Sequence, residues 1–156
     1  YTSVIPNLLI RDIVAALEKT KAVKIYVSNI MTQPGETDGY GVEDHVKAIF
    51  KHSDADIVDY VMVNIGRIDK ELEDKYLEEE SKLVTIDVEK LKKLQVNIIE
   101  ADFIKVRNGF IRHDAEKLAA ILVETIMDKK LLYDRKKIIE YFYLSERLKE
   151  NKKNRE

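Results

Sequence analysis

Polar side chains and glycines crowd into one stretch, Asn29-Ile30-Met31-Thr32-Gln33-Pro34-Gly35-Glu36-Thr37-Asp38-Gly39-Tyr40-Gly41. It holds three of the chain's five glycines and one of its two prolines. Glycine lets a backbone turn tightly and approach a bound molecule. Asn29, Thr32, Gln33, Glu36, Thr37 and Asp38 supply both donors and acceptors. The chemistry that fits is recognition of a polar, phosphate- or hydroxyl-bearing ligand; the plainer alternative is a turn-rich connection facing water. Glu36 and Asp38 stand two residues apart and could share Mg2+ through water, or remain solvated and bonded to backbone N–H groups. No other cofactor is required.

Other candidates lie outside that stretch. Thr2 and Ser3 precede a helical pattern, where free N–H groups and hydroxyls suit a phosphate, although on the residues alone simple N-capping by Ser3 is the favoured reading. Asn7 falls on the first turn of the same pattern. Asn29 and Asn64 each close a strand, where an amide can read a base or a ribose hydroxyl, or satisfy its own loop. Arg112 offers bidentate phosphate binding and ring stacking, and His113 follows it. Asp114 is suited to N-capping the next helix. His45 and His52 are seven residues apart on a predicted helix, about 10 Å along its axis, and cannot close on one metal. His45 is expected in the core or at its rim. With no cysteine in the chain, disulfides, thiolate metal sites and thiol nucleophiles are excluded.

These residues need a scaffold, and the hydrophobic pattern supplies one. Leu8, Leu9, Ile13, Ala16 and Leu17 recur at helical spacing after Ser3 and Pro6. Val23 to Ser28 reads as a buried strand, and Val42, Val46, Ile49 and Phe50 mark a helix face. Ile57 to Val63 is a second strand ending at Asn64, followed by a charged helix through Leu72, Tyr76 and Leu77. Leu83 to Ile86 predicts a short strand, Asp87 a cap for a helix through Leu91 and Leu94, and Val96 to Ile99 a further strand. Leu118, Ile121, Leu122 and Ile126 line a helix after Asp114, and a last amphipathic helix is expected from about Leu131 to Leu148. Alternating strands and helices imply right-handed βαβ units and a mostly parallel sheet. Ligands then bind at the carboxyl ends of the strands, where the glycine-containing stretch lies.

Composition limits the remaining choices. Of 156 residues, 45% are hydrophobic and 36% charged, which suits one globular α/β domain. A formal net charge of -2 gives no basis for general nucleic-acid binding. No stretch is long and apolar enough to span a bilayer. From Lys129 onward ten Lys/Arg face five Asp/Glu, either a solvated helix face or a docking surface for an acidic partner.

The run from Val27 to Tyr40 resembles the signature of the YvcK-type gluconeogenesis factors of the CofD-like family, as does the opening Tyr1-Thr2-Ser3-Val4-Ile5-Pro6-Asn7-Leu8-Leu9. Asp44-His45-Val46-Lys47-Ala48-Ile49 and Arg112-His113-Asp114 also fit. The resemblance extends from Tyr1 to about Met127. It implies a Rossmann-like, doubly wound, mostly parallel sheet with helices on both faces. Residues 1–128 would be the C-terminal half of such a domain, and 129–156 a basic helix and tail. The glycine-rich phosphate turn of the family would lie in the other half. The Met-Thr-Gln-Pro-Gly-Glu-Thr-Asp-Gly run differs from the transferase branch, which implies a regulatory protein and not a catalyst. Such proteins are associated with growth on gluconeogenic carbon sources, cell shape and cell-wall synthesis, and with UDP-sugars such as UDP-N-acetylglucosamine. The implied ligand-binding set is Tyr1, Thr2, Ser3, Asn7, Asn29, Met31, Thr32, Gln33, Glu36, Thr37, Asp38, Tyr76, Arg112 and His113. Cell-wall synthesis proteins as partners, a homodimer and a cytoplasmic location belong to the same expectation. The rival is a transferase acting on a nucleotide-activated phosphorylated substrate, as in 2-phospho-L-lactate transfer.

Overall fold

A computed structural model describes residues 3–131. The chain divides into two compact units, Tyr1–Asp114 and Ala115–Glu156. The helix expected from Leu131 to Leu148 lies outside the described residues.

The first unit is built on a parallel sheet of β1 (Ile25–Val27), β2 (Tyr60–Asn64) and β3 (Asn97–Ala101), in that order. Tyr26 pairs with Val61, which in turn pairs with Ile98. The central strand carries Val61, Met62 and Val63 in succession, and all three are fully buried. A strand covered on both faces needs no polar alternation, which is why the segment reads as one apolar run. Each such side chain contributes about 1.5–3 kcal/mol on burial. Helix α3 (Val42–Ser53) connects β1 to β2 and buries Val42, Val46 and Ile49 in the core with Leu91 and Val96. Helices α4 (Lys70–Glu78) and α5 (Val88–Lys93) connect β2 to β3. Asp87 caps α5, its carboxylate accepting from the Lys90 N–H at 3.0 Å. The α/β class expected from the sequence is therefore the one that forms, a parallel sheet flanked by helices.

Three elements depart from expectation. The first helical pattern splits into α1 (Ile5–Leu8) and α2 (Arg11–Lys19), with Ile10 extended between them. Leu8 and Val14 both join the core cluster. Six residues apart on one continuous helix, they would point about 120° apart, and the break lets both face inward. The N-cap of α1 is Val4, without a side-chain capping bond, so Ser3 does not serve as the cap. Leu83 to Ile86 is not a strand of the sheet. Leu83 makes a single antiparallel bridge to Met31, and this segment bonds instead to the loop after β1 and to the start of α3, through Val84 N–H to Ile30 and Val42 N–H to Thr85.

The third departure is an unanticipated antiparallel hairpin, β4 (Ile104–Arg107) and β5 (Phe110–His113). Asn108 (φ 53°) and Gly109 (φ 73°) turn it in the left-handed region. Arg112 and His113 therefore sit on a strand and not at a helix start. The second unit contains α6 (Ala115–Leu131), which begins directly after Asp114. No helix among the described residues is long and apolar enough to cross a membrane.

Candidate functional site

A cavity of about 500 Å3 opens at the carboxyl end of β1. One wall is Asn29 to Pro34; the other comes from Tyr76, Glu79 and Ser81, and from Ile111, Arg112 and His113 of β5. Pockets for small ligands commonly measure about 300–1,000 Å3. Seven of the residues singled out from sequence thus converge from three separate chain segments: Asn29, Met31, Thr32, Gln33, Tyr76, Arg112 and His113.

The first wall is held by the segment after α4. Thr32 N–H donates to the Lys82 carbonyl at 2.7 Å, and Lys82 N–H returns a bond to the Thr32 hydroxyl at 2.9 Å. The buried Ser81 hydroxyl donates to the Thr32 carbonyl at 2.6 Å. Asn29 is fixed at its carbonyl oxygen, which accepts from the Tyr26 hydroxyl at 3.2 Å. The opposite wall is docked by three long-range bonds. Tyr76 Oη accepts from the Ile111 N–H at 2.9 Å, and His113 Nε2–H donates to the Ser28 carbonyl at 3.2 Å. The Asn64 side-chain oxygen accepts from Phe103 N–H at 3.1 Å while its amide donates to the Gly66 carbonyl at 3.1 Å. Asn64 thereby spends both ends of its amide on its own surroundings. The Arg112 guanidinium donates to the Ile111 carbonyl at 3.0 Å, and its Cζ lies 5.3 Å from the Phe110 ring centroid.

The remaining sequence candidates do not line this cavity. Thr37 is fully buried, and its hydroxyl accepts from Gln33 N–H at 2.7 Å. Asp38 accepts from Gly35 N–H at 2.7 Å, and Glu36 is exposed on the same turn. These three shape the loop; Glu36 and Asp38 are not brought to the cavity wall. Ser3 and Asn7 are exposed, and Asn7 Nδ2 donates to the Ser3 carbonyl at 2.7 Å. Tyr1 and Thr2 lie outside the described residues. Among the described residues no group of three or more His, Asp or Glu is arranged to hold a metal. Sequence reasoning missed Glu79, Ser81 and Ile111 as cavity residues. Only the Asn108-Gly109 pair could have signalled Ile111, by announcing the hairpin that carries it.

A larger cavity of about 1110 Å3 lies against α2 and β1, walled mainly by aliphatic side chains such as Leu8, Ile13, Leu17, Val23, Ile25 and Ile49. Asn29 and His113 border both cavities. Polar groups converge on the smaller one, which makes it the candidate site.

Fold and site together define an α/β protein with a polar cavity, the candidate site, at the carboxyl end of a parallel strand. Residues 1–104 match the family described as 2-phospho-L-lactate transferase CofD, and the chain belongs to that family. A relative in Clostridium acetobutylicum is 63% identical over 98% of this chain and 34% of its own length. The gluconeogenesis factor of Bacillus subtilis is 39% identical over 82% of this chain and 40% of its own length. A crystal structure of a UPF0052-family protein from Bacillus halodurans superposes with a TM-score of 0.73 at 39% identity, covering 76% of this chain and 38% of that one. The chain thus spans roughly a third to two-fifths of the length of these relatives.

Proposed function

We propose that the cavity between the loop after β1 and the β4–β5 hairpin is a regulatory binding site for a nucleotide sugar, a UDP-sugar such as UDP-N-acetylglucosamine. The observation that carries this reading is the convergence of Asn29, Thr32, Gln33, Tyr76 and Arg112 on one cavity. Amides and hydroxyls suit a uracil edge and sugar hydroxyls, and the guanidinium suits phosphate. The site requires no resident cofactor; Mg2+, where used, arrives with the diphosphate. Binding in the cytoplasm favours one conformation over another and so alters contacts with cell-wall synthesis proteins. Support of growth on gluconeogenic carbon and of cell shape follows from that change, a reading in keeping with the name gluconeogenesis factor that the relatives carry.

The test is calorimetric titration of the full chain with UDP-N-acetylglucosamine, beside Arg112→Ala. The expected result is binding that the variant weakens by about tenfold or more, with the ligand recovered intact. Absence of binding to any UDP-sugar refutes the proposal. The family match favours a second reading, transfer from a nucleotide-activated phosphorylated substrate. Turnover of such a substrate with a suitable acceptor would establish it, and intact recovery would exclude it.

A further inference from the structure

The hairpin pairs Lys105 with Arg112 and Arg107 with Phe110. Directly paired residues of a ladder share a face, and successive residues alternate. Lys105, Arg107, Phe110 and Arg112 therefore occupy one face, and all four are exposed. Ile111, on the other face, is buried. Lys75 of α4 joins the exposed set, its Nζ 5.3 Å from the Phe110 ring centroid, the same distance as the Arg112 Cζ. Four cations and an aromatic ring thus share one surface. None of the four forms an ion pair among the described residues. Like charges directly opposite one another weaken a ladder, so stability does not explain Lys105 across from Arg112. An anion placed between them reverses the sign of that interaction. Arg112 also lines the cavity, which makes the basic face continuous with it.

We propose that this hairpin face binds the linked phosphates of the ligand, two or more in series, with Lys105, Arg107 and Lys75 as phosphate-binding residues beyond Arg112. The inference rests on the nucleotide reading of the cavity and deepens it: the cavity takes the base or sugar, and the hairpin takes the charge. Ammonium and guanidinium groups donate charge-assisted bonds to phosphoryl oxygens. Phe110 supports the Arg112 and Lys75 side chains from their flanks through cation–π contact.

The test titrates the full chain with inorganic pyrophosphate and, for comparison, orthophosphate, using wild type, Lys105→Gln, Arg107→Gln and Arg112→Ala. Pyrophosphate is expected to bind more tightly than orthophosphate, and to lose about tenfold in affinity in each Gln variant. Lys105→Gln is also expected to raise the melting temperature slightly, because it removes a like-charge pair. Equal affinity for the two anions, or pyrophosphate binding unchanged in both Gln variants, overturns the proposal. UDP-sugar binding that needs Arg112 but neither Lys105 nor Arg107 leaves the cavity reading standing and rejects the hairpin. Pyrophosphate binding lost in the Gln variants, with no UDP-sugar bound, retains the hairpin and rejects the nucleotide sugar.

Discussion

His45 is fully buried on α3, and its Nδ1–H donates to the Gly41 carbonyl at 2.8 Å, with the Tyr40 ring set edge-on at 5.3 Å. Burial lowers its pKa from the ordinary 6.5, a shift that the bond to Gly41 only partly opposes. Below about pH 6.5 the unfolded chain takes up a proton that the folded chain resists, so stability falls as pH drops from that value toward the lower folded one. Asp44 acts in a separate, more acidic window. Its burial opposes ionisation, but the Gly41 N–H and the Lys47 ammonium outweigh it and hold the carboxyl below 3.8. Thermal melts between pH 8 and 5 should therefore show a smaller loss of stability in His45→Gln, which cannot titrate, than in wild type. Parallel slopes for the two proteins would remove His45 from the account. Its burial was legible in the sequence from the flanking Val42, Val46 and Ile49. The role of Tyr76 was less so: its hydroxyl meets the Ile111 N–H across 35 residues of chain, a pairing that no local pattern encodes.

Elements with strong periodicity or local chemistry were readable, and those defined by distant partners were not. β2 and α3 announced themselves by apolar runs and helical spacing, and α5 by its Asp87 cap. Leu83 to Ile86 looked like a strand because its side chains suit one, yet its backbone turns to Ile30 and Met31 while the preceding Lys82 bonds Thr32, and so they build one wall of the cavity. The β4–β5 hairpin was missed, although Asn108-Gly109 is a strong short-range hairpin signal. Both turn residues have positive φ, where a Cβ is disfavoured. Gly109→Ala places that Cβ in otherwise uncrowded space, 3.7 Å from Lys75 Nζ, so its cost is conformational. A loss of about 1–2 kcal/mol is expected in chemical denaturation, with faster hydrogen exchange in 104–113. Gly109→Asn should recover part of it, since Asn tolerates the left-handed region. Wild-type stability in the Ala variant would show that this turn does not hold the strands.

In the first unit as a whole, Phe103 ties the sheet, the hairpin and the site together. It is fully buried just after β3; its N–H donates to Asn64 at the end of β2, and its carbonyl accepts from Asp114 N–H at 2.7 Å. Its ring lies 5.5 Å from the His113 imidazole, which itself reaches the Ser28 carbonyl at the end of β1. The hairpin bearing Arg112 is thus fastened to the carboxyl edge of two adjacent strands, the place where a parallel sheet presents its loops to a ligand. Truncating this ring removes packing at the fastening point, its contact with the cavity-lining His113 included, while every cavity-lining residue itself is kept. Phe103→Ala should destabilise the protein by about 3–5 kcal/mol, and Phe103→Leu by less. In both, ligand affinity measured well below the melting temperature should fall with stability, because the wall carrying Ile111, Arg112 and His113 loses its anchor. An Ala variant that is less stable yet binds as tightly as wild type would mean that Tyr76 and His113 suffice to hold the hairpin, and that Phe103 serves the core alone.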